Sequence, residues 1–130
     1  MALMVNGVKV RGVRSSRSVG LHLLLDCWEC KGEAMEQEET AALMLQEAVK
    51  AISAHSLHSH IHRFHPHGLT GFALLQESHI SIHTWPEIGY AAIDVFSCGK
   101  ITPEPAVEVF QKYLKPGRIR LRKVSRGSLR

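Results

Sequence analysis

A change in apolar period near residue 55 constrains this chain more than any other feature. Between Glu36 and Ala54 the apolar residues Ala41, Met44, Leu45, Ala48, Val49 and Ile52 fall on one face of a helix. From Leu57 onward the period drops to two. His58, His60 and His62 alternate with Ser59, Ile61 and Arg63, and Phe72–Gln76, His79–Thr84 and Tyr90–Ser97 follow as further short strands. Pro66, His67 and Gly68 break the first of them, Gly68-Leu69-Thr70-Gly71 reads as a tight turn, and Pro86 and Gly89 punctuate the last two. Strands joined by connections this short pair antiparallel.

The flanks complete the pattern. Gly20–Cys30 reads as a strand with a buried stretch, and Pro103–Leu114 as a helix with Val107, Phe110, Gln111 and Leu114 along one side. Pro103 suits an early helical position and Pro116-Gly117 stops the run. Arg118–Val124 alternates again, with Arg118, Arg120 and Arg122 on one face. Residues 1–18 are rich in Gly, Ser and Arg and read as a loose arm with a short strand at Val8–Val13. The order predicts one α+β domain over residues 1–130, a two-layer sandwich of a mostly antiparallel sheet with two helices on one face. Runs such as Ala73-Leu74-Leu75 and Ala91-Ala92-Ile93 are apolar on both sides. The face without helices therefore calls for a cover, and a second sheet from a partner subunit, hence a homodimer, is the simple one.

Composition narrows the class. Hydrophobic residues make up 45% and charged residues 22%, as in a globular domain rather than a disordered chain. Leu21–Leu25 is far too short an apolar run to span a bilayer, and no signal-peptide core follows the basic N-terminus. A cytoplasmic protein with no membrane partner is expected, and Cys27, Cys30 and Cys98 as free thiols. The last segment is basic, yet it holds no aromatic residue after Tyr113 to stack bases, which disfavours nucleic acid. Cys27-Trp-Glu-Cys30 has the spacing of a redox pair but ends a strand instead of starting a helix, and no second pair completes a zinc site. His58, His60 and His62 share one strand face, a polar face more readily than a metal site, and no metal is expected.

The chemistry concentrates between Gly68 and Gly99. Glu77, Ser78, His79, His83, Trp85, Glu87 and Cys98 gather there. A hydroxyl nucleophile, an imidazole and a thiol are all available. A G-x-S-x-G elbow, which a serine hydrolase of the α/β type would carry, is absent.

At these residues a family resemblance becomes specific. Glu77–Glu87, E-S-H-I-S-I-H-T-W-P-E, preceded by G-L-T-G and followed by D-V-F-S-C-G at Asp94–Gly99, resembles the prokaryotic S-adenosylmethionine decarboxylases, which depend on a pyruvoyl group. Gly20–Asp26 and Arg63–Gly68 look like that family's first strand and the approach to its self-processing loop.

The resemblance implies a precursor that cuts itself between Glu77 and Ser78, into chains of residues 1–77 and 78–130. Ser78 becomes the pyruvoyl cofactor, the carbonyl electrophile that condenses with the substrate amine. By position, His83 matches the residue that assists elimination during processing. Cys98 matches the proton donor in decarboxylation. Thr70 stands where the family usually has a processing serine, and keeps its hydroxyl. Phe64, Trp85 and Glu87 match the residues that line the pocket for adenine and ribose. The implied reaction is decarboxylation of S-adenosylmethionine, supplying aminopropyl groups for spermidine synthesis. The same machinery acting on arginine or ornithine is the nearest alternative. A non-catalytic metal- or nucleic-acid-binding module is the remote one.

Overall fold

The structure is a computed structural model and describes residues 3–5, 8–11, 18–98 and 100–128, with side chains for 18–98 and 100–127. Eight strands form one sheet: β1 (Leu3–Val5), β2 (Val8–Arg11), β3 (Ser18–Trp28), β4 (Ser56–Arg63), β5 (Leu69–Leu75), β6 (Ser78–Trp85), β7 (Tyr90–Cys98) and β8 (Arg118–Ser128). Their spatial order is β1-β2-β8-β3-β7-β6-β5-β4. The six strands from β8 to β4 are antiparallel throughout, and β2 joins β8 in parallel. This is the α+β sheet that the period change predicts. Within the expected arm the strand is present over Val8–Arg11, a further strand that the sequence reading did not place lies at Leu3–Val5, and residues 1–2, 6–7 and 12–17 lie outside the described residues.

Helices α1 (Glu38–Ala51) and α2 (Ala106–Leu114) cover one face. Alternation dictates what they bury: Leu23, Leu25 and Cys27 from β3, Ile80 and Ile82 from β6, Ile93 and Val95 from β7. These pack against Met44, Leu45 and Phe110 of the helices in a single core. Lys123 of β8 also points to this side, where it is buried against Glu104 in a direct ion pair. No described helix is long and apolar enough to cross a membrane.

One expected turn is in fact strand. Leu69, Thr70 and Gly71 belong to β5, paired with Arg63, His62 and Ile61 on one side, and Thr70 and Gly71 also pair with His83 and Ile82 on the other. The break comes earlier, through Pro66 to Gly68, where Gly68 takes φ 88. Gly71 serves packing rather than turning: a Cβ there would sit 2.6 Å from Ile61 Cδ1.

The other face of the sheet carries no helix. Phe72, Leu74, Trp85 and Val124 stand on it 39–47% exposed. They share it with His58, His60 and His62 of β4, which oppose Leu74, Phe72 and Thr70.

Candidate active site

The expected cleavage point lies in a two-residue hairpin. Leu75 of β5 pairs with Ser78 of β6, so Gln76 and Glu77 form the turn. Ser78 takes φ 146, a backbone region that side-chain-bearing residues rarely occupy. The Glu77 carbonyl oxygen accepts two bonds from one residue of the neighbouring strand: Cys98 N–H at 3.0 Å and Cys98 Sγ at 3.1 Å. Two donors aimed at a strained carbonyl polarise it and would hold negative charge on its oxygen. The adjacent Ser78 supplies the hydroxyl.

The Glu77 side chain is anchored separately. His55, just after α1, donates its backbone N–H to Oε1 at 3.0 Å, and its Nδ1 meets Oε2 at 2.7 Å. The His55 side-chain bond and then its backbone bond hold the Glu77 carboxyl below the usual carboxylate range. Sequence reasoning missed His55, because the sequence carries no signal that its loop meets the turn 22 residues on.

A second cluster occupies the other end of β6. Thr70 Oγ1 is hydrogen-bonded to His83 Nδ1 at 3.0 Å. Trp85, 43% exposed, stacks on Tyr90 with ring centroids 5.4 Å apart. Phe64, just past β4, is 48% exposed with its ring against His62. Glu87 is exposed in the 3₁₀ turn Pro86–Ile88 that follows Trp85. The structure thus brings Ser78 together with Cys98 and Glu77, and Thr70 with His83. It does not bring His83 to Ser78 within the chain: five residues along one strand separate them by roughly 16 Å.

Between the clusters lies a polar network that the sequence reading overlooked. Asp94 accepts from Ser81 Oγ, from His22 Nε2 at 2.6 Å and from His79 Nε2 at 3.3 Å. Partial burial raises its pKa, but the bonds from Ser81, His22 and His79 outweigh burial and leave it below the ordinary value. The signal was legible in principle, since Asp94 sits at an open-face position of β7. The three ligand-type atoms lie within 4.8 Å of one another. Arg126, always a donor, meets His22 Nδ1 at 3.2 Å. With Nδ1 facing Arg126, His22 donates from Nε2 to Asp94.

The other sequence candidates resolve in place. Cys27 is buried and Cys30 half-buried, both free. A hydrogen bond between the two thiols, then burial, pushes Cys27 up, and the same bond draws Cys30 down. The basic strand turns inward on the molecule: Arg118 lies over the Trp28 ring at 4.2 Å and Arg120 reaches Asp26 at 3.2 Å.

A serine set in a strained hairpin behind a doubly polarised peptide carbonyl defines a class: enzymes that make their electrophile from their own backbone. Comparison with known proteins gives the family. A model described as S-adenosylmethionine decarboxylase matches residues 21–127. The S-adenosylmethionine decarboxylase proenzyme of Methanococcus maripaludis is 45% identical over 112 residues, 85% of this chain and 92% of the relative. That of Persephonella marina is 46% identical over 114 residues, 87% and 86% of the two chains. The crystal structure of the adenosylmethionine decarboxylase from Aquifex aeolicus superposes with a TM-score of 0.79 at 37% identity, covering 88% of this chain and 96% of that one. The chain belongs to the S-adenosylmethionine decarboxylase family.

Proposed function

We propose that this chain is the precursor of a pyruvoyl-dependent S-adenosylmethionine decarboxylase that cleaves itself between Glu77 and Ser78. The observation that carries the reading is the pair of bonds from Cys98 to the Glu77 carbonyl, beside the strained Ser78. Ser78 Oγ attacks that carbonyl carbon and displaces the amide nitrogen, which gives an ester. The negative charge passing through the carbonyl oxygen is met by Cys98 N–H and Sγ–H. Loss of the Ser78 Cα proton expels the Glu77 carboxylate from Cβ. The resulting dehydroalanine, a masked imine, takes up water and releases ammonia, leaving a pyruvoyl group at the head of residues 78–130.

The residues around the bond fit that group: Cys98 borders it through its thiol and its backbone N–H. The pyruvoyl ketone supplies the electron sink for decarboxylation. Cys98 is placed to return a proton to the substrate carbon. The relatives are named for S-adenosylmethionine, which favours that substrate over arginine or ornithine. Phe64, Trp85 and Glu87 offer two rings and a carboxylate for its adenine and ribose. The product would be the aminopropyl donor for spermidine synthesis, and free thiols suit a cytoplasmic setting.

The second cluster requires a second copy. His83 serves the elimination at Ser78, and within one chain it is a strand's length away. A two-fold axis through the open face packs sheet on sheet, and sets Thr70, His83, Phe64, Trp85 and Glu87 of each copy over Ser78 and Cys98 of the other. It also covers Phe72 and Leu74. The homodimer therefore has two composite sites.

Intact-mass spectrometry of the purified protein, followed by CO2 release from S-adenosylmethionine, arginine and ornithine, tests the reading. Two chains breaking at Glu77–Ser78, the second blocked by pyruvoyl, with CO2 from S-adenosylmethionine alone, are expected. A chain that stays whole on incubation overturns it.

A further inference from the structure

The turn that carries the scissile bond is tied down by two outside residues, Cys98 and His55. His55 accepts the Gln76 N–H on its carbonyl at 3.0 Å, donates its own N–H to Glu77 Oε1 at 3.0 Å, and places Nδ1 2.7 Å from Glu77 Oε2. The two residues of a hairpin turn lie outside the ladder of their own two strands, so their orientation depends on bonds from elsewhere. The reaction needs the opposite. Ser78 Oγ must approach the face of the Glu77 carbonyl while its oxygen stays on Cys98, within the tolerance of a near-attack geometry. Cys98 holds the carbonyl end of Glu77, and His55 holds the carboxylate end. With both ends held, the Glu77–Ser78 peptide has little rotational freedom left.

We propose that His55 is a positioning residue for self-cleavage, acting through the Glu77 carboxylate to hold the scissile carbonyl in line with the Ser78 hydroxyl. The proposal rests on the cleavage site argued above. Within its own chain His55 bonds Gln76 and Glu77 and none of the reacting atoms, and Phe64, Trp85 and Glu87 stand at the far end of β6. Its side chain is 70% exposed, so replacing it leaves the core intact. The Glu77 γ-carboxylate, which has no covalent part in the reaction, thereby acquires a reason to follow the turn.

The test follows conversion of newly translated full-length chain into its two products by intact mass, in a pulse and chase. His55→Ala keeps both backbone bonds and loses only the Nδ1 contact, and should cleave about tenfold more slowly, as befits one charge-assisted bond. His55→Asn, whose side-chain N–H overlaps Nδ1, should recover to within about threefold of the unsubstituted chain. Once cleavage has gone to completion, His55→Ala should show unchanged kcat and KM for S-adenosylmethionine. In combination with Glu77→Gln it should be no slower than the slower single variant, because both remove one coupling. Equal cleavage rates for His55→Ala and the unsubstituted chain overturn the proposal while leaving self-cleavage standing, as do additive slowing in the double variant or a loss of kcat in the mature enzyme. An unsubstituted chain that does not cleave overturns the proposal together with the reading beneath it.

Discussion

Cys98 directs two donors at one oxygen, and they are separable. Cys98→Ala removes the thiol and leaves the backbone N–H, so self-cleavage should slow by about 10–100-fold without stopping, measured as the time course of chain separation. Ser78→Ala should abolish it and leave one 130-residue chain on a denaturing gel. Asp94 makes a pH prediction. Its folded-state pKa is depressed, so its contribution to stability is whole above the unfolded carboxylate value and is lost as pH falls through the depressed one. Asp94→Asn should therefore flatten the fall in Tm between about pH 5 and pH 2, read by calorimetry. At this scale the motif residues Ser78, Glu77 and Cys98 were legible because they lie in one contiguous signature or at a fixed distance from it. His22 and His55 were not, because their partners come from strands and loops distant in the chain, and His79, though inside the signature, gave no sign of its bond to Asp94.

Thr84 ties three elements together. It is buried on β6, accepts the Leu69 N–H of β5 at 2.9 Å and donates to the Met35 carbonyl at 2.7 Å. Thr84→Val keeps the shape and leaves both backbone groups unpaired in the core, which should cost about 2 kcal/mol and several degrees of Tm. Most elements were readable from period: both helices and the strands from β2 to β8 appear where alternation or helical spacing placed them, with ends displaced by a few residues, while β1 at Leu3–Val5 had no such signal. The misread turn at Gly68–Gly71 has a physical cause. Two glycines bracketing Leu69-Thr70 look like punctuation, but Gly71 is small because Ile61 and Ile82 flank it across the sheet, and cross-strand crowding leaves no mark in local sequence.

One face of the sheet carries Phe72, Leu74, Trp85 and Val124 exposed among its histidines, with no helix over it, and the whole-molecule prediction concerns what covers it. Leu74→Lys or Phe72→Asp should shift the dimer toward monomer in analytical ultracentrifugation. A mixture of Cys98→Ala and His83→Ala precursors should regain activity that neither has alone, because one of the two composite sites in a mixed dimer is intact. The two-sided strands in the sequence call for a cover on this face, and the structure leaves the face without a helix. The sequence could not show that His83 and Ser78 stand far apart in one chain, because both fall in one eleven-residue motif and only the strand's extended geometry separates them.

In the proposed dimer, that separation along β6 would make maturation a matter of concentration. If elimination at Ser78 draws on a histidine from another copy, a lone newly made chain is chemically silent, and the rate of cofactor formation rises with the square of chain abundance at low expression. The protein would then meter its own appearance as an enzyme: dilute chains persist as inert precursor, and activity switches on only once copies are plentiful enough to meet.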